Sequence, residues 1–250
     1  MIKVALVREP SKDFLKCISN HPLKHQINIE KTQKQHKAYC STLEELGLEL
    51  IYITEISDHP DSCFVEDTAI IHYKKALICR MGAESRRGEE ISVEEILKQY
   101  LPVSKIKKPG TIEGGDIIHF STNLISGFTQ RTNLEGIEQL ESFFEIPVKV
   151  VEDIEIIHLK SYVTALRDDL IITSNRYLDH PVLTDYKKIS TQENEEYAAN
   201  TLTVNGTVII PEGFTRINNI ITDYGFDVVS LDVSEFQKCE GALTCLSLIF

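Results

Sequence analysis

No apolar run in this chain approaches the ~20 residues that a helix needs to cross a bilayer. The opening stretch "MIKVALVREPSKDF" also lacks the apolar core and small-residue cleavage site of a secretory signal, so a cytoplasmic protein is expected. Basic residues are scarce. Lys and Arg number 26 against 38 Asp and Glu, giving a net charge of −12 and a sequence pI near 5.2. Such a surface repels phosphate backbones and anionic lipid, which disfavours nucleic acid and membrane surfaces as partners and suits a small cationic ligand. The six cysteines (17, 40, 63, 79, 239 and 245) form no C-x-x-C pair and no Cys/His cluster with ligand spacing. That pattern excludes a disulfide framework and a zinc site, so six free thiols and no metal are expected. Gly, Pro and Ser never gather into a linker and no long charge block occurs, so residues 1–250 are expected to form one domain.

What is present is a repeat. "AIIHYKKALICR" from Ala69, "DIIHFSTNLISGF" from Asp116, "YVTALRDDLIITS" from Tyr162 and "LTVNGTVIIPE" from Leu202 each set two β-rich runs around a polar turn. Helical periodicity follows in Val93, Ile96, Leu97, Tyr100 and Leu101, then in Leu134, Ile137, Leu140 and Phe144, then in Phe214, Ile217, Ile220, Ile221 and Tyr224. A helix after the third hairpin, near "TDYKKI", is the weakest of the set. Strand-like runs "LPVSKI", "IPVKVV" and "FDVVSL" follow. The unit is strand, strand, helix, strand, recurring every 40 to 47 residues. "ALTCLSLIF" supplies the first strand of a fifth unit, and the N-terminal "KVALV", the helix around "TQKQHKAYCSTLEELG" and "LELIYIT" supply the remainder. The reading is a closed α/β ring of five modules, with the last strand pairing beside the first and no free sheet edge. An open α/β sheet is the alternative, but it gives no reason for five similar phrases.

Polar groups collect where the hairpins begin: Glu66 and Asp67 in "CFVEDTAII", Glu113 and Asp116 in "TIEGGDIIHF", His158 in "IIHLKSYV", Asn200 in "YAANTLTVN", and Cys245 in the fifth phrase. Equivalent positions of a five-fold ring converge on its axis. Each residue alone has a dull reading, as a turn, a structural histidine or a buried thiol; together they point to chemistry. A cysteine with a histidine supports nucleophilic catalysis, and carboxylates beside them select a flat, donor-rich cation such as guanidinium. A cysteine protease would want oxyanion-stabilising donors instead.

The series "VREPSKDF", "PDSCFVEDTAII", "ALICRMGAESRRGE", "EGGDIIHF", "RTNLEG", "HLKS", "YAAN" and "LTCLSLIF" resembles the dimethylarginine dimethylaminohydrolases, most closely the short bacterial type, within the pentein superfamily. The resemblance implies a five-bladed α/β propeller that hydrolyses Nω-methylated L-arginine to citrulline and an amine, without cofactor. It implies Cys245 as nucleophile, His158 as general acid and base, and Glu113 as the group orienting that imidazole. It further implies Glu66 and Asp67 in the guanidinium pocket, Asp61 at the substrate's amino-acid end, and Arg86 and Arg131 as a clamp for the α-carboxylate. Ile18 and Cys239 are implied contacts through backbone groups. Asp116 is read as a brace for its turn. Arginine deiminases are similar but carry His-x-Asp, where this chain has Lys160; losing that carboxylate should relax the demand for an unsubstituted nitrogen. An arginine or agmatine deiminase and a non-catalytic arginine-binding propeller are the competing functions. An outer helix could mediate a homodimer.

Overall fold

The computed structural model describes residues 3–54 and 56–250. Fifteen strands form five three-stranded sheets, each made the same way. The second sheet shows the pattern: β3 (Ala69–His72) runs antiparallel to β4 (Lys75–Ile78), which pairs in parallel with β5 (Val103–Lys105) across helix α2 (Glu90–Leu97). The third comprises β6 (Ile117–His119), β7 (Leu124–Phe128), α3 (Leu134–Phe144) and β8 (Val148–Glu152). The fourth comprises β9 (Val163–Arg167), β10 (Leu170–Thr173) and β11 (Lys187–Ser190), and the fifth β12 (Leu202–Val204), β13 (Thr207–Pro211), α4 (Thr215–Asp223) and β14 (Asp227–Leu231). A short helix α5 (Ser234–Gln237) follows.

The first sheet is assembled from both chain ends. β1 (Lys3–Val7) pairs in parallel with β2 (Leu48–Tyr52) and antiparallel with β15 (Leu248–Ile249), in the register Ala5 to Ile249. Helix α1 (Ile29–Glu45) joins β1 to β2 and is capped by Asn28, whose side chain accepts the Lys31 N–H at 3.0 Å. The first strand of each sheet faces the axis: β9 lies against both β6 and β12, and β15 against β3. The ring closes as the repeat pattern implies, an α/β propeller of five blades. Apolar side chains fill the spaces between sheets and helices; Leu6, Val65, Ala76, Val93, Leu97 and Leu248, for example, form one cluster between the first and second blades.

Two expectations fail. "TDYKKI" is not helical. Its last residues belong to strand β11, and the link from β10 uses two short 3₁₀ turns, Asn175–Tyr177 and Pro181–Leu183. Pro181 takes the first position of its turn, and buried Tyr177 and Leu183 fill the layer that a helix covers in other blades. The cysteines are not all free either. Cys17 and Cys239 are joined in a disulfide across 222 residues, while Cys40, Cys63, Cys79 and Cys245 remain thiols. The link ties the segment after β1 to the turn after α5, two loops far apart in sequence that the ring brings side by side. No helix among the described residues is long and apolar enough to cross a membrane.

A cross-link closing so long a loop restricts the unfolded chain. Reduction with dithiothreitol should therefore cost about 2–4 kcal/mol of unfolding free energy, read from denaturant curves. A Cys17→Ser, Cys239→Ser protein should show no such response to reductant.

Candidate active site

Each inner strand is preceded by a 3₁₀ turn, and those turns carry the polar residues. Val65–Thr68 precedes β3 and holds Glu66 and Asp67; Gly114–Asp116 precedes β6 just after Glu113; Leu159–Ser161 precedes β9 just after His158; Thr244–Leu246 precedes β15 and holds Cys245. Neighbouring turns touch one another around the axis. Their cavity is lined by Cys245, His158, Asp61, Asp67, Arg86, Arg131, Ile18 and Cys239, with Phe64, Ile157, Glu240 and Gly241. It is narrow, about 40 Å³, room for roughly one water.

Glu113 is fully buried and held at both oxygens. Oε1 accepts the N–H of Gly82 at 2.9 Å and of Ala83 at 3.3 Å; Oε2 lies 2.7 Å from His158 Nε2. Among the described residues nothing bonds to His158 Nδ1, which leaves that nitrogen for a ligand. Asp67 Oδ1 accepts the Gly115 N–H at 3.0 Å and stands 3.7 Å from His158 Nε2. Gly115 must be glycine at this approach, since a Cβ would lie 2.7 Å from both Asp67 and the imidazole. Asp116 braces the turn from behind, accepting Thr129 and Thr132 hydroxyls and the Leu159 N–H at 2.6–2.9 Å. Asn200, whose motif suggests no role of its own, donates to the Lys160 carbonyl and accepts the Thr244 N–H, pinning the turn that carries Cys245.

The titration states follow from these contacts. Burial alone would lower His158, but Asp67 and Glu113 outweigh it and lift the imidazole to about 9. It is an imidazolium at neutral pH. Burial raises the Cys245 thiol strongly, and Glu66 and Asp67 raise it further, so the free site holds a protonated thiol. Against the cost of burial, His158 and Arg86 keep Asp67 below its ordinary value. Asp67, Glu113 and His158 offer three ligand atoms within 4.8 Å of one another, yet an imidazolium already bonded to Glu113 presents protons rather than lone pairs to a metal.

Other expected residues sit differently. Glu66 does not line this cavity. It pairs with Lys160 and accepts the Thr244 hydroxyl at 2.8 Å, on a separate cavity at the opposite face of the ring. Arg86 is 5 % exposed and almost saturated. Nε and Nη2 hold Glu89, Nη2 also meets the carbonyls of Asp61 and Phe64, and Nη1 donates to Asp67 at 2.7 Å. Arg131 makes no ion pair among the described residues and is the freer cation at the cavity wall. The Asp61 carboxylate accepts the Ile18 N–H at 3.1 Å. Glu89 and the fully buried Arg8, which donates to the Ser62 and Glu89 carbonyls, escaped the sequence reading: the partners of Arg8 lie in other segments, and the Glu89–Arg86 pair, three residues apart, reads as an exposed turn until its burial is seen.

The family model for "N,N dimethylarginine dimethylhydrolase, eukaryotic" matches residues 11–248. The N(G),N(G)-dimethylarginine dimethylaminohydrolase of Pseudomonas aeruginosa is 32% identical over 255 residues, covering all of both chains. The chain belongs to the dimethylarginine dimethylaminohydrolase family. A citrulline complex of the Pseudomonas aeruginosa enzyme, in a cysteine-to-serine variant, superposes with a TM-score of 0.96 at 32% identity over the whole of both chains. A histidine-to-glycine variant of a dimethylarginine dimethylaminohydrolase, an adduct with S-methyl-L-thiocitrulline, gives the same TM-score, identity and coverage.

Because His158 is raised in the folded site, its contribution to stability is complete below its unfolded value of 6.5 and fades as pH rises through about 9. Unfolding free energy of the wild type, measured against His158→Asn, should accordingly shrink between pH 6.5 and pH 9.5. A difference that stays constant or grows would contradict the charge assignment.

Proposed function

We propose that this protein hydrolyses Nω-methylated L-arginine to L-citrulline and methylamine or dimethylamine, with Cys245 as nucleophile and His158 as acid and base. The observation that carries this reading is an imidazole paired with Glu113 and a thiol on one narrow cavity that the Asp67 carboxylate also lines. The two related structures support it, one holding citrulline and the other an adduct of a thiocitrulline.

In the free site the carboxylates oppose thiolate formation. A guanidinium placed beside Asp67 cancels that field and puts a positive charge near the sulfur, so the thiol loses its proton to solvent as substrate binds. The thiolate then forms a bond to the guanidinium carbon. The C–N bond to the methylated nitrogen breaks as His158 Nδ1 delivers its proton, and the amine departs. Water then attacks the S-alkylthiouronium carbon while giving one proton to the same imidazole; the C–S bond breaks, the water's second proton passes to the departing sulfur, and citrulline leaves a site that again holds imidazolium and thiol. Glu113 keeps the ring oriented throughout through its Nε2 contact.

Asp61 would receive the substrate's ammonium group beside the Ile18 backbone, and Arg131, the freer cation, its carboxylate. Arg86 reaches the ligand with what remains of its Nη1 donors. Cys239 contributes backbone at the mouth. Glu66 acts through its charge on the thiol rather than by contact. Lys160 occupies the place that a second guanidinium-binding carboxylate takes in deiminases, and its ammonium is turned to Glu66. A dialkylated nitrogen therefore meets no carboxylate demanding its hydrogens.

The deciding experiment is a substrate panel scored for citrulline and for each released amine. Dimethylamine from asymmetric dimethylarginine, lost with Cys245→Ser while ligand binding persists, is expected. Ammonia from arginine without dialkylamine from the methylated substrate would instead make the protein a deiminase. Thiolate absorbance near 240 nm should be absent below pH 9 in the free protein and should grow on adding an unreactive cationic ligand; a thiolate already present at pH 7 would remove the substrate-driven ionisation.

A further inference from the structure

Glu89 is fully buried, lies just ahead of α2 and does not line the cavity. Its carboxylate accepts Arg86 Nε at 3.1 and 3.2 Å and Nη2 at 2.8 Å. On its other side Arg86 Nη1 donates to Asp67 Oδ2 at 2.7 Å. Three charges thus stand in a row, negative, positive and negative. Other charges stand around the row: Glu113 Oε2 is 3.8 Å from Arg86 Nη1, His158 Nε2 is 3.7 Å from Asp67 Oδ1, and Asp61 and buried Arg8 feel the Glu89 charge; none of them is altered by a substitution at Glu89. Arg8 bonds to its backbone carbonyl, and His59 Nδ1 is 4.0 Å from Oε1.

We propose that Glu89 is a positioning residue that neutralises Arg86, so that Asp67 keeps a net negative field for a guanidinium and the site prefers its cationic substrate over the neutral ureido product. The proposal deepens the assignment above and rests on it. The reasoning is Coulombic. Without Glu89, a ligand beside Asp67 faces an ion pair of no net charge, and its own cation is attracted on one side and repelled by buried Arg86 on the other. With Glu89 in place, the trio carries one net negative charge. A guanidinium profits from that charge; a ureido group of nearly the same shape does not. Glu89 also fixes the plane of the Arg86 guanidinium, which in turn fixes the plane of the Asp67 carboxylate.

Dissociation constants of Nω,Nω-dimethylarginine and of citrulline, measured by calorimetry in the Cys245→Ser background, give a ratio that reads the preference. Burial lifts the Glu89 carboxyl to about 7 while Arg86 draws it down, so the comparison is made at pH 8. Glu89→Gln should lower the preference for the cation about tenfold or more, chiefly by weakening dimethylarginine. Arg86→Gln with Glu89→Gln removes one charge of each sign, a change that buried pairs tolerate better than losing one partner. That double variant should recover the ratio even where both ligands bind more weakly. Arg86→Gln alone should push the ratio above that of the parent, which keeps the test open if Glu89→Gln fails to fold. Equal weakening of both ligands by Glu89→Gln, or a ratio unmoved in Arg86→Gln, would overturn the proposal and leave Glu89 a structural brace. The readout is binding alone, so a wild-type protein that releases no dimethylamine would sink the activity without touching this result.

Discussion

Two residues of β15 paired with β1 decide where Cys245 goes. Val4 and Phe250 exchange backbone hydrogen bonds at 2.8 and 2.9 Å, and Ala5 faces Ile249. Cys245 lies three residues before that strand, in a turn also tied to the ring by bonds such as Asn200 to Thr244 and Thr244 to Glu66 and by the buried side chains of Leu243 and Leu246. Were the ring left open, the thiol would belong to the end of a chain 178 residues beyond Asp67. Closing it brings that turn onto the one carrying Glu66 and Asp67, which in turn meets the Glu113 turn, which meets the His158 turn. Backbone pairing where the two chain ends meet thus sets side-chain geometry at the axis.

What converges there is costly to bury. Glu113, Asp67, Asp116, Glu89 and Arg86 are all removed from water, and desolvation of any one alone would exceed what a fold of this size can bear. They coexist because each carboxylate faces a cation or several N–H donors: Glu113 has His158 and two backbone amides, Asp67 has Arg86 and Gly115, and Asp116 has two hydroxyls and an amide. The same satisfaction keeps the resting site inert. With the imidazole charged and the thiol protonated, the sulfur is a poor nucleophile towards adventitious electrophiles until a cation enters. Stability and selectivity therefore draw on one set of contacts.

The architecture was legible because its signals are local. Alternating β-rich runs around a polar turn show up within a dozen residues, and four such phrases at similar spacing leave few ways to arrange them. Cys245, His158, Asp67 and Glu113 could be picked out because each occupies the same place in its module, ahead of the inner strand. The fourth blade misled where locality failed: "TDYKKI" has no strong strand pattern, and the helix it was expected to form is replaced by turns around Pro181 and buried Tyr177 and Leu183. The Cys17–Cys239 link was illegible for a related reason, since its two loops meet only after the ring has closed.

Long-range charge pairing was the least visible layer, and it changes the expected roles most. A glutamate beside an aspartate in "VED" reads as two members of one cation pocket, with the aspartate as the principal partner. In the fold, Lys160, 94 residues away, takes Glu66 to the opposite face, and only Asp67 turns to the cavity. "ESRRGEE" likewise reads as an exposed charged turn with one arginine spare for a carboxylate. In the fold, Glu89 claims that arginine first, and Arg86 arrives at the site already bound to a carboxylate on either side. Counting acids and bases in a motif gives the composition of a site but not its net charge, because a buried counter-ion outside the cavity changes the sum. For a reaction whose substrate is a cation and whose product is neutral, that sum governs which of the two is held and which is let go.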